Sequence, residues 1–234
     1  MGAAMSVDQA LRKAKSLARK GAGDEAEALL QKLLERFPDN KRAIETLQAL
    51  SRPHVSGRRT AGQMKADIRA LTQSFKQGQH QEVVAQGEVL VAHYPKSALL
   101  HNIVGASLMK LDRFEAAAES FLAAAKAAPE SAEYWNNHGQ ALNALGRNEE
   151  AAASLKKAVA LRPDYPDALN NLGHALTHSH DPGEAVRYLE RAVALKPDHP
   201  EALNNLGNAH NTLGDRDAAI DCYEKALSVR PHYA

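Results

Sequence analysis

The sequence predicts an all-α fold, a right-handed α-solenoid superhelix built from stacked helix–turn–helix units. Three observations carry this. Gly105, Gly139, Gly173 and Gly207 recur every 34 residues. Pro95, Pro129, Pro163, Pro197 and Pro231 recur with the same period. Ala117, Ala151, Ala185 and Ala219, then Ala124, Ala158, Ala192 and Ala226, fall in the same register. A unit of this length cannot bury its apolar face alone, so it stacks on its neighbours.

The elements follow in order. Residues 1–6 read as a tag or disordered start, with Met5 and Ser6 as the native beginning. Residues 7–50 read as a divergent unit plus one extra helix. In Val7–Asn40, Gly21 marks the turn, Ala26 the second helix and Pro38 the end, and Lys41–Leu50 is an unpaired first helix. Residues 51–63 are rich in Ser, Gly, Arg and Pro without periodicity, and read as a linker. Five units then run in phase: 64–97, 98–131, 132–165, 166–199 and 200–233. Each holds a helix A, a short turn, a helix B and a closing proline.

The last unit shows the logic. Leu203, Leu206, Gly207 and His210 share one face of helix A, Gly214 and Asp215 make the turn, and Ala219, Tyr223 and Ala226 recur on helix B. Asp215 is a good N-cap because its carboxylate accepts from an orphan backbone N–H. In the unit before, His180 replaces the turn glycine, and Asp181, Pro182 and Glu184 read as cap, first helical residue and capping-box partner. A glycine inside helix A costs about 1 kcal/mol against alanine. Its repetition predicts a close crossing of helices A and B, which the alanines of helix B also suit. Unit 64–97 is looser: Leu71 stands at the glycine position, Val83 at the first alanine, and Gly87 falls inside helix B.

Bulk properties narrow the function. The chain has 234 residues, 44% hydrophobic and only 5% aromatic, as close helix packing favours. A net charge of +1 gives no global field toward nucleic acid or membrane. Residues 1–63 nevertheless hold 12 Lys/Arg against 7 Asp/Glu, and the remainder 17 against 21. Arg12, Lys13, Lys15, Arg19, Lys20, Arg58 and Arg59 make that excess. With Phe37 the only aromatic among them, a solvated helix face is favoured over a nucleic-acid surface. Cys222 is the only cysteine, so no internal disulfide forms. With no long apolar run and no signal core, a cytoplasmic location is expected.

The repeating pattern resembles tetratricopeptide repeats. Trp135, Gly139, Ala151, Leu155, Ala158 and Pro163 carry the motif, as do Leu203, Leu206, Gly207, Ala219, Tyr223, Ala226 and Pro231. The match is strong over 98–233 and weaker over 7–97. His138 departs from it, standing where Leu172 and Leu206 stand in later units, and reads as a neutral core histidine. Asn136-Asn137, Asn170-Asn171 and Asn204-Asn205 are similar to the superhelical repeats of O-linked N-acetylglucosamine transferase. That resemblance implies an asparagine ladder on a concave face that holds an extended peptide by its backbone. The N-terminal half resembles bacterial repeat proteins fused to a sulfotransferase or glycosyltransferase domain.

The resemblance places helix A on the inside of the superhelix. The inward set is then Asn102, Asn136, Asn137, Gln140, Asn143, Asn170, Asn171, His174, Thr177, Asn204, Asn205, Asn208 and Asn211. Asparagine is a poor helix former, so its repeated use mid-helix wants a reason. Two are open: a carboxamide row that pairs with the C=O and N–H of an extended peptide, or hydrogen bonding between neighbouring helices. The peptide-binding candidates are Asn102, Asn136, Asn137, Gln140, Asn170, Asn171, His174, Asn204, Asn205 and Asn208. Lys110 is the nearest cation, which disfavours a ligand held by its terminal carboxylate.

His174 and His178 lie four apart, but solvated or inter-helix roles are favoured over metal binding. No nucleophile elbow, phosphate loop, CxxC pair or paired-carboxylate constellation occurs. The expected function is a non-enzymatic scaffold, without cofactor or metal, binding a protein or extended peptide. The alternatives are a substrate-recruiting arm of a larger transferase and a self-assembling repeat protein. The latter would form homo-oligomers through the end of the last repeat, where Ile220, Tyr223 and Leu227 are candidates for exposure.

Overall fold

A computed structural model describes residues 7–19, 23–51, 61–179 and 181–231. The expectations for residues 1–6, Lys20, Gly21, His180 and most of the linker lie outside them. The described residues form thirteen α-helices in two compact units, 1–61 and 62–234.

The first unit holds α1 (Val7–Arg19), α2 (Gly23–Arg36) and α3 (Lys41–Ser51). Ala10, Leu11 and Ala14 of α1 meet Ala26, Leu30 and Leu33 of α2, with Ala43 of α3 closing the cluster. These residues recur at three- and four-residue spacing, which gives each helix one apolar stripe. Asn40 starts α3, its Oδ1 accepting from the Ala43 N–H at 3.0 Å. An Arg42–Asp8 ion pair at 3.0 Å is exposed on both sides and adds little stability.

The second unit alternates A and B helices: α4 (Ala61–Lys76), α5 (His80–His93), α6 (Ala98–Lys110), α7 (Phe114–Ala127), α8 (Ala132–Ala144), α9 (Asn148–Leu161), α10 (Pro166–His178), α11 (Pro182–Leu195), α12 (Pro200–Thr212) and α13 (Arg216–Val229). Each B helix ends two residues before its closing proline, from His93 and Pro95 to Val229 and Pro231. Gly78, Gly146 and Gly214 turn with φ of 75°, 69° and 84°. Asp112 holds the equivalent turn at φ 55°, a conformation that costs an L residue strain and glycine none. Asp181 and Asp215 cap α11 and α13 as expected, accepting from Glu184 N at 3.0 Å and Ala218 N at 3.2 Å.

At the edges of the expected linker 51–63, α3 runs through Ser51 and α4 starts at Ala61. Met64, Ile68, Leu71 and Phe75 give α4 one continuous apolar stripe, which extends the helix forward.

Helices A and B cross closely at the helix-A glycines, as expected, and each glycine faces a large side chain sixteen residues on. A Cβ on Gly105 would stand 2.8 Å from the Phe121 ring, and one on Gly207 would stand 2.5 Å from Tyr223. Gly139 and Gly173 meet Leu155 and Leu189 in the same way. In unit 64–97 this pair is exchanged: Leu71 is large and fully buried, and Gly87 sits sixteen residues later. A Cβ on Gly87 would meet the Val104 side chain of α6 first, with Leu71 at 3.8 Å, so Gly87 makes room for the next unit as well as for Leu71.

One apolar core runs through the second unit, from Val84 and Val104 to Leu206 and Cys222. A helices also touch across repeats, α8 against α10 and α10 against α12, with no comparable contact between α9 and α11. The A-helix side is thus the tight side of the stack.

Candidate functional site

The asparagines of the A helices form a hydrogen-bonded row. Asn137 Nδ2 donates to Asn102 Oδ1 at 2.9 Å, Asn171 Nδ2 to Asn136 Oδ1 at 3.0 Å, and Asn205 Nδ2 to Asn170 Oδ1 at 2.9 Å. In every case the second asparagine of one unit reaches the first asparagine of the unit before. Asn143 Nδ2 adds a bond to the Asn171 backbone carbonyl at 2.9 Å. Asn136 and Asn170 are buried, while Asn137, Asn171, Asn204 and Asn205 are half-buried.

The inter-helix role is thus present in the geometry. It uses one N–H of each of Asn137, Asn171 and Asn205. A carboxamide has two donors and an acceptor oxygen. Each therefore keeps an N–H and its Oδ1 beyond the bond to its neighbour, although Asn137 Oδ1 also receives Asn136 Nδ2 at 3.4 Å. The bonds cost the row little of its capacity and fix its orientation.

The other candidates fall beside this row. Gln140 is exposed, and Asn208 Oδ1 accepts from the Tyr223 hydroxyl at 2.8 Å. His174 is half-buried against His178, with ring centroids 4.7 Å apart. Burial first, and His178 second, pushes the His174 pKa down. Among the described residues no group of three or more His, Cys, Asp and Glu side chains is placed to hold a metal ion. Among those residues, too, no helix is long and apolar enough to cross a membrane.

His138 packs in the core, its Nδ1 2.9 Å from Ser154 Oγ. Burial lowers its pKa, helped by Arg147, Lys157 and Lys126 against Glu150. Trp135 is almost buried, donates Nε1–H to the Pro129 carbonyl at 2.9 Å, and carries Lys157 Nζ 4.0 Å from its ring centroid. In the sequence Trp135 stands out only as a motif residue. Lys157, 22 positions on, lies too far along the chain for local spacing to show the stack.

Helix pairs in series, with one row of A helices on the tight side, define an α-solenoid, a class that presents extended binding surfaces. Tetratricopeptide-repeat models match residues 164–232 and 10–40, and a TPR-repeat model matches 139–177. The chain belongs to the tetratricopeptide-repeat proteins. None of the curated proteins matches its sequence.

Several solved structures share the fold. MamA from Desulfovibrio magneticus RS-1 is 19% identical with a TM-score of 0.65, covering 73% of this chain and 97% of that one. YrrB, described as a TPR protein with an unusual peptide-binding site, is 19% identical with a TM-score of 0.62, covering 71% and 86%. PilW, described as a type IV pilus biogenesis factor, is 25% identical with a TM-score of 0.65, covering 75% and 81%.

Proposed function

We propose that this chain is a protein-interaction scaffold that holds an extended peptide against its A-helix face. The observation that carries the reading is the asparagine row, which is fixed before any ligand arrives. Asn137, Asn171 and Asn205 are the ligand-contacting members. Asn102, Asn136 and Asn170 position them from the unit before. A peptide that lies along the row exchanges backbone N–H and C=O bonds with carboxamides that need no reordering, so the ordering cost falls on the peptide. Gln140, His174, Asn204 and Asn208 flank the row and read side chains. YrrB shares the fold and is described as having a peptide-binding site. The test is capture from source lysate by the parent and by N137A/N171A/N205A, matched for helicity by circular dichroism. Partners lost by the variant support the reading; identical capture by both contradicts it.

A second reading, pairing of two copies through α13, has its own observation. Ile220 and Leu227 are 52% and 46% exposed. One period earlier, Val186 and Val193 are partly buried against the core. Light scattering over a concentration series tests it. A mass that doubles with concentration in the parent and not in I220E/L227E is expected, and a constant monomer mass overturns it.

A further inference from the structure

A cleft of about 350 Å³ opens between α5 and α7, floored by α6, with no asparagine in its lining. Val91, Val104 and Leu108 line its base, and Ala116 and Ala123 line its α7 wall. The next two repeats carry an aromatic ring in the same space. One period after His101 stands Trp135, and one period after Ala123 stands Lys157, which lies over the indole. His101 and Trp135 start from the same anchor. His101 Nε2 lies 2.9 Å from the Pro95 carbonyl, and Trp135 Nε1 donates to the Pro129 carbonyl at 2.9 Å. The volume that the second indole ring takes beside Leu122 and Ala125 has no counterpart beside His101. Two periods after Ser120 stands Tyr188, packed partly buried against the core with its hydroxyl 3.4 Å from Glu184 Oε1. The two repeats that follow thus put an aromatic ring into this space, while the last, with Leu203 and Cys222 at these positions, does not.

We propose that the α5–α6–α7 cleft is a second binding site, which takes a tryptophan side chain from a partner polypeptide. The base supplies apolar contact for the ring face. Arg113 stands at the rim, where its equivalent Arg147 is tied to Glu150 at 2.7 and 2.6 Å. Ala116 occupies the Glu150 position, so no such tie forms and the guanidinium can lie on the ring as Lys157 lies on Trp135. Glu88 and Glu119 at the rim accept the indole N–H and favour cationic residues beside the tryptophan.

The test is titration of N-acetyl-tryptophanamide into the full chain with labelled Val and Leu methyl groups, read by NMR. The expected result is saturable shifts at Val91, Val104 and Leu108 in the millimolar range, with much smaller shifts from N-acetyl-glycinamide. The variant H101W/A123K copies the next repeat and should weaken binding by about tenfold or more, an easily resolved difference in free energy. S120Y copies the tyrosine two repeats on and should do the same, so the test survives if one variant misfolds. N171A should leave the shifts unchanged. Absence of shifts at these methyls, or equal binding by parent and both filled variants, overturns the proposal.

Discussion

Gly173→Ala and Gly183→Ala are the same chemical change ten residues apart, and they should move stability in opposite directions. At Gly173 the added methyl would meet the Leu189 side chain, standing 2.7 and 2.8 Å from its two methyls. Leu189 is fully buried, so it can yield only by displacing its neighbours. Overpacking of this kind costs about 1–3 kcal/mol. Alanine returns about 1 kcal/mol of helix propensity. The net expectation is a loss of about 1 kcal/mol. At Gly183, in the first turn of α11, nothing lies within 4 Å of the added methyl and φ is ordinary. The change then acts through the unfolded chain and adds about 0.5 kcal/mol.

Leu189→Ala alone should cost about 2–5 kcal/mol through its cavity. In the double variant G173A/L189A the new methyl enters that cavity, so the two costs should sum to more than the measured loss. Urea titrations read by Trp135 fluorescence and by circular dichroism measure all four proteins. A Gly173→Ala protein as stable as the parent, or additive costs in the double variant, would refute the packing argument.

Three further outcomes follow from named groups. Asp112→Gly removes a left-handed non-glycine turn and should raise the unfolding free energy by up to about 1 kcal/mol, read as a higher urea midpoint. Asn171→Ala leaves the buried Asn136 oxygen without its donor and should cost about 1–3 kcal/mol, whereas Gln140→Ala, on an exposed site, should stay within about 0.5. Burial pushes the His138 pKa below its ordinary value of 6.5 in the fold, while the unfolded chain takes up a proton near that value. Its contribution to stability is therefore complete above that pH and is lost as pH falls through the depressed folded value. Melting temperatures at pH 7 and pH 5 should fall less in His138→Leu than in the parent, and His174→Asn should flatten the curve further.

The period alone located the second unit's helices because glycine, proline and capping residues act within a few residues of where they stand. Asp181 and Asp215 were legible as caps for that reason. What the sequence hid were relations across helices. Leu71 and Gly87 each look like a defect, and only their facing positions reveal an exchange of large for small. The Gly173 methyl clash is set by Leu189, a residue that local spacing cannot assign to it. The asparagines were legible as a row, but the bond from the second asparagine of one unit to the first of the preceding unit depends on how far one helix A slides past another. The cleft beside His101 was invisible for the same reason: its emptiness is defined only against Trp135 and Lys157.

The measurement that tests the central claim most directly is a calorimetric titration of a peptide selected on the full chain from a random display library. It is run with the parent peptide, with single side-chain replacements, and with backbone N-methylated copies. Recognition through the asparagine row predicts that most side-chain replacements leave the affinity within a few-fold. N-methylation, and the N171A/N205A protein, should each weaken it by about tenfold or more, the scale of losing hydrogen bonds of roughly 1 kcal/mol apiece. Affinity that ignores N-methylation and the asparagine changes, and follows side-chain identity instead, would contradict the account.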